Sequence, residues 1–154
     1  MRKEQNRATR LKWWMRVIGA FYLLLGIINA PPLMAARMGV QYPFLELGLE
    51  HLAVKAIIDL WFVFGAESTV LGLMLLLASA APLRNKILVQ MVLLLELVRI
   101  LLDLFWIGRG YYDVAPYIIW IVVHAAIILS GWRFLRQAQT ASARDAAGSL
   151  LQAG

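Results

Sequence analysis

The chain has 154 residues, 62% of them hydrophobic and 16% charged, with a formal net charge of +6 at pH 7. Soluble domains run at about 45–50% apolar and about 25% charged, so an ordinary water-soluble domain is excluded. The absence of cysteine removes disulfides, thiol redox chemistry and thiolate metal sites, and two histidines, His51 and His124, cannot build a multi-histidine metal centre.

In chain order, Arg2, Lys3, Arg7, Arg10, Lys12 and Arg16 come first, interleaved with Trp13 and Trp14. A basic patch can bind nucleic acid, but indole rings among the cations at the entrance to an apolar run mark an interfacial membrane anchor, and no nucleic-acid partner is assigned. The twenty residues between Arg16 and Arg37 carry no ionisable group. At ~1.5 Å per residue they can cross a hydrocarbon core of ~30 Å, which predicts a first span over about residues 17–33. Pro31 and Pro32 lack the amide donor a helix interior needs, so the helix should kink or stop near Asn29. No clean small-residue cleavage site follows the run, so it reads as a retained span and not a removed signal peptide.

Residues 38–58 hold Pro43, Glu46, Glu50, His51 and Lys55 in an otherwise helical pattern, the mark of a segment lying along the outer membrane surface. Glu46, Glu50 and His51 offer metal-competent atoms at helical spacing, but a solvated loop face explains them more simply, and neither a metal nor a cofactor is assigned. Three further spans follow, at about residues 60–81, 87–108 and 114–132. The first contains Glu67 and ends at Ala81-Pro82, the next contains Glu96, Arg99 and Asp103, and the last contains only His124. Continuous apolar runs, not alternation every second residue, favour helices over barrel strands. The small, polar residues 138–154 should form a flexible cytoplasmic tail, fraying beyond about Gln137.

Orientation follows from the cations. Eleven lie on one side, counting the N-terminal six with Arg84, Lys86, Arg133, Arg136 and Arg144, against Arg37, Lys55 and Arg109 on the other. The positive-inside rule then places both termini in the cytoplasm. The expected fold is an all-α membrane protein, a single four-helix transmembrane bundle over residues 1–137, in a bacterial inner membrane and surrounded by its lipids.

An ionisable group deep in a span costs roughly 2.5–3.5 kcal/mol on insertion scales, so each should turn inward toward a partner. Val92, Glu96, Arg99, Asp103 and Trp106 share one helical stripe, and so do Tyr117, Trp120, His124 and Gly131, and Gly19, Tyr22, Gly26 and Asn29. Glu67 is expected inward with Phe64, Leu71 and Met74. Gly19, Gly26 and Gly131 would let helices approach closely. Glu96 and His124 fall near mid-membrane, and Arg99, Asp103, Glu67, Asn29, Tyr117 and Trp120 in the outer half, predicting one polar cluster there. Three carboxyls against Arg99 leave two negative charges for protons, a protonated His124 or a bound cation to offset.

Such a cluster suits binding of a small hydrophobic or cationic ligand, or a proton relay through Glu67, Glu96, Arg99, Asp103 and His124 with Asn29, Tyr117 and Trp120 around it. Two other readings stand beside it. In one, an accessory or assembly subunit, with a membrane partner or a second copy, uses the cluster only to fix helix packing. In the other, a small membrane isomerase uses Glu67 and His124 as catalytic proton carriers. Trp61, Trp106, Tyr111, Tyr112, Trp120 and Trp132 read mainly as interfacial belts, with Trp106 and Trp120 also able to line an apolar pocket. Phosphate-binding glycine loops, a nucleophile elbow and an HExxH pair are all missing, and large inward aromatics leave no obvious pore.

The stretches WWMRVIGAFYLLLG at Trp13 to Gly26, FGAESTVLG at Phe64 to Gly72, ELVRILLD at Glu96 to Asp103, RGYY at Arg109 to Tyr112 and IIWIVVHAAIILSG at Ile118 to Gly131 resemble the BphX-like family of small bacterial membrane proteins. The resemblance implies four transmembrane helices, similar in general shape to the DoxX-like proteins, and by gene-neighbourhood association an accessory role in hydrophobic or aromatic compound metabolism. It brings no catalytic residue list, and residues 33–57 inherit no role from it.

Overall fold

A computed structural model describes residues 2–42, 45, 47–110 and 113–152, with side chains described over 8–42, 45, 47–110 and 113–140. The described chain is helical: α1 (Arg2–Ile28), α2 (Pro31–Gln41), α3 (Leu52–Ala78), α4 (Lys86–Arg109) and α5 (Val114–Gln152). Pro43, Glu46, Tyr111 and Tyr112 lie outside the described residues.

Three segments, Ala8–Ile28, Leu52–Ala78 and Val114–Thr140, are long and apolar enough to cross a membrane. Sequence patterning predicts four. The 24 residues of α4 would span about 36 Å, but three charged groups, Glu96, Arg99 and Asp103, fall close together within them.

The first span ends where the prolines require. α1 stops at Ile28, Ala30 is extended (φ −60°, ψ 142°), and Pro31 and Pro32 open α2, where their missing donors cost nothing. Arg37, counted as a loop cation from sequence, reaches back from α2. One of its terminal nitrogens donates to Ile28 O at 2.7 Å and to Asn29 Oδ1 at 3.0 Å, placing positive charge on the C-terminal carbonyls of α1. The predicted surface segment 38–58 is divided: α2 takes its first residues, and α3 begins at Leu52, eight residues before the expected start of the second span. Asn85 closes the turn after α3, its side-chain amide donating to Ala78 O at 3.2 Å and Ala81 O at 3.0 Å. α4 ends at Gly110, whose φ of +67° is the left-handed cap that glycine adopts at no steric cost. α5 continues to Gln152, past Gln137 where fraying was expected.

The helices group into two compact units, residues 1–16 with 78–154, and residues 17–77. In the first unit, α4 and α5 form an antiparallel hairpin whose core holds Leu88, Val89, Val92, Leu93, Ile127 and Leu135, together with Leu11, Trp14 and Met15. Trp14 Nε1 donates to Ser130 Oγ at 3.0 Å and Arg16 Nε to Ser79 Oγ at 3.3 Å. Gly131 makes room for Trp14: a Cβ there would meet the indole at 2.6 Å and Leu93 at 2.7 Å.

In the second unit, the rest of α1 packs antiparallel on α3 through paired glycines. A Cβ on Gly19 would lie 2.9 Å from Gly72 O, one on Gly72 would lie 2.7 Å from Gly19 O, and one on Gly65 would lie 3.2 Å from Gly26 O. The two backbones therefore touch without side chains between them, which is how helices associate where lipid removes the hydrophobic drive. Met34, Met38 and Val54 form a separate small core, flanked by Trp61, which donates to Tyr42 Oη at 2.7 Å.

Gly72→Ala should lower stability by about 1–3 kcal/mol through overpacking against backbone. Gly39→Ala, within α2 and with open space around it, should leave stability unchanged or raise it by up to about 1 kcal/mol. Thermal unfolding of the two purified variants checks the contrast.

Candidate functional site

Four ionisable side chains meet between α4 and α5. Glu96, Arg99 and Asp103 rise along one stripe of α4, and His124 faces them from α5. Glu96 is fully buried and His124 is buried with 6% of its surface exposed. Burying a carboxylate so completely requires compensation at both oxygens. Arg99 Nη1 donates to Glu96 Oε1 at 2.7 Å, and His124 Nδ1 meets Glu96 Oε2 in a short contact. The imidazole's other nitrogen, Nε2, faces Asp103 Oδ2 at 3.6 Å. That oxygen is buried and forms no hydrogen bond among the described residues. Trp120, one turn before His124, stacks on the imidazole with centroids 5.8 Å apart and planes 24° apart.

The arrangement is a chain in the order Arg99, Glu96, His124, Asp103. A neutral imidazole carries one ring proton, so His124 can donate to both carboxylates only as imidazolium, unless a carboxyl carries the proton instead. Two carboxylates and one guanidinium leave one negative charge, and a single proton shared among Glu96, His124 and Asp103 makes the group neutral. The chemistry available is the transfer of that proton across the ring.

The sequence stripes place these four residues correctly, together with buried Val92 and Gly131 and the half-buried Tyr117. Two further predicted members, Asn29 and Glu67, belong to the second unit. Asn29 is buried within the α1–α2 corner, where its side-chain amide donates to Leu25 O at 2.8 Å and its carbonyl accepts from Arg37. Glu67 was expected inward but is exposed on α3, with no hydrogen bond or ion pair among the described residues. Within the first unit the charges of the cluster balance with one proton on four groups. Trp106 and Trp120 are also exposed.

Of the weaker metal candidates, Glu46 lies outside the described residues. Glu50 pairs with Lys55 at 2.8 Å, and the hydrogen bond and charge of that ammonium hold its carboxyl below the usual glutamate range. His51 Nδ1 accepts from the Ala53 amide at 3.2 Å. No group of three or more potential metal ligands occurs among the described residues. Sequence reasoning missed Ser130 and Ser79 as acceptors for Trp14 and Arg16, and missed Gly65 and Gly72. The glycines did carry a signal, since their spacing of seven residues equals that of Gly19 and Gly26.

The family model described as BphX-like matches residues 8–140, from the second turn of α1 into the second half of α5. No curated protein and no solved structure matches the chain.

Glu96→Leu should destabilise the protein by about 3–5 kcal/mol, because Arg99 and His124 lose the anion between them. Adding Arg99→Leu should recover part of that loss. A double-mutant cycle in thermal or denaturant unfolding tests this, and simple additivity would show that the two groups do not act as a pair.

Proposed function

The chain belongs to the BphX-like family, and from the α4–α5 geometry we propose that it is an integral membrane protein in which Asp103, His124 and Glu96 form a one-sided proton relay. The observation that carries this reading is the histidine with one ring nitrogen toward each of two carboxylates. Arg99 acts as a fixed counter-charge that keeps Glu96 tolerable in a buried position. The gap at Asp103 needs to shorten by about 0.7 Å to become an ordinary hydrogen bond, so a small approach of the two helices connects the chain.

The proposed topology has four spans with both termini cytoplasmic, in a bacterial inner membrane. Support for α4 as the fourth span is that its polar groups answer one another: Glu96 is bonded on both oxygens, which offsets the cost that composition alone assigns to it. Support for the orientation is the distribution of cations, eleven flanking the N-terminus, the α3–α4 turn and the end of the last span against Arg37, Lys55 and Arg109. Asp103 then lies toward the outer side and Glu96 about 15 Å along α4 from its cytoplasmic start. From Glu96 back toward that start the buried residues of α4 are Leu93, Val92, Val89 and Leu88, which offer no proton acceptor. The relay thus loads from outside and ends at Glu96, which fits proton-coupled binding and not conduction through the membrane.

Infrared difference spectra recorded as the pH is changed between about 4 and 9 test the proposal. We expect coupled carboxyl and imidazole bands that Glu96→Gln removes and that Asp103→Asn weakens, because without that carboxylate Arg99 already balances Glu96 and no proton needs to be shared across the ring. Spectra without any change in those bands would make the cluster a structural clamp between α4 and α5 and end the relay reading.

A further inference from the structure

At its cytoplasmic end on the proposed topology, the first unit carries positive charge that no described side chain answers. Its segments there, residues 8–16, 78–92 and 128–140, hold seven lysines and arginines and no aspartate or glutamate. Six of the seven side chains are exposed and Lys12 is half-buried. Only two make a side-chain hydrogen bond or ring contact among the described residues, and both lie over an indole. The Arg16 guanidinium is 5.4 Å from the centre of Trp13, and that of Arg136 is 4.4 Å from the centre of Trp132. The rings are themselves exposed, Trp13 at 58% and Trp132 at 48%.

These pairs differ from a scatter of solvated cations in geometry and in depth. A guanidinium held on a ring presents its outward N–H donors in a fixed plane, which suits two oxygens of one phosphate. Arg16 donates from Nε to Ser79 Oγ at 3.3 Å and keeps both terminal nitrogens, while the Arg136 guanidinium has no acceptor among the described residues. Trp14 meets Ser130 and Gly131, so Trp13 and Trp132 lie within about 3 Å of that contact along their helices, both toward the cytoplasm. Lys12, Arg10, Arg133 and Arg136 follow within about 9 Å, a distance comparable to the headgroup layer of about 5–8 Å on each side of the hydrocarbon.

A ligand in that layer need not be enclosed by the protein, because the bilayer holds its chains and the protein supplies only charges and ring faces. What complements unpaired cations at this depth is the phosphodiester of a lipid that carries no ammonium of its own. We infer that this end of the first unit is a binding surface for anionic phospholipid, with Arg16 on Trp13 and Arg136 on Trp132 as the two phosphate-holding pairs. The inference rests on the membrane placement proposed above and is independent of the proton relay.

The test is native mass spectrometry of the full chain in detergent micelles, titrated with phosphatidylglycerol or with phosphatidylcholine of the same chains. Saturable binding of phosphatidylglycerol is expected, with a Kd at least about tenfold below that of phosphatidylcholine. Combining Arg16→Gln with Arg136→Gln should cut this preference to about threefold or less, and combining Trp13→Leu with Trp132→Leu, which keeps every charge, should lower it at least about threefold. Arg109→Gln removes an arginine lying 5.9 Å from the Phe105 ring at the other end of α4 and should bind as wild type does. All variants are checked for an unchanged unfolding transition. Equal binding of the two lipids, an unchanged preference in either double variant, or an equal loss in Arg109→Gln overturns the inference. So does displacement of the bound lipid by inorganic phosphate or a short oligonucleotide at micromolar concentration, which would assign the cations to a soluble anion. A chain that stays soluble and folded after detergent removal would overturn the membrane placement and this inference with it, whereas equal lipid binding by a chain that needs detergent overturns the inference alone.

Discussion

A carboxylate withdrawn from water has to be answered by positive charge and by hydrogen-bond donors, and Glu96 receives both from one residue on its own helix and one on the next. Most of what is specific about the α4–α5 pair follows from that demand. It places Arg99 one turn along α4, fixes the depth at which α5 must present His124, and sets the register of the hairpin. The stacked Trp120 then limits how the imidazole can turn. An apolar core of leucines and valines could tolerate a slip of one turn along the hairpin. A buried salt bridge with a defined partner on each helix does not.

The α1–α3 pair solves a different problem with different means. Lipid solvates apolar side chains as well as a protein does, so burying leucine gains little, and close backbone contact takes its place. Gly19 and Gly26 on one helix meet Gly72 and Gly65 on the other, seven residues apart in each case and antiparallel. Polar attraction organises α4 and α5, and steric permission organises α1 and α3. Both devices depend on a few residues in helices that are otherwise interchangeable runs of aliphatic side chains.

This difference explains what could be read from the sequence. The stop at Pro31 and Pro32, the helices and the set Glu96, Arg99, Asp103 and His124 were legible, because proline chemistry and helical spacing act locally. The direction of Glu67 was not. The reasoning that charge turns inward succeeds on α4, where the polar stripe is also the packing face, and fails on α3, where Gly65 and Gly72 define the packing face. Glu67 stands about 100° around the helix from buried Ser68 and about 160° from Gly65, so the glycine seam carries it outward. Arg37 escaped notice because a cation after a proline turn looks like loop solvation until the carbonyls it caps are located.

The spacing of the Arg99–Glu96 pair also bears on how the protein is made. Its two members are three residues apart, so the bond can close as soon as a single turn of α4 forms. The bond to His124 joins residues 28 positions apart and has to wait until α5 has been synthesised. During that interval α4 already carries a counter-charge for its most deeply buried acid. The order of residues along the chain thus matches the order in which their charges need to be balanced as it leaves the ribosome.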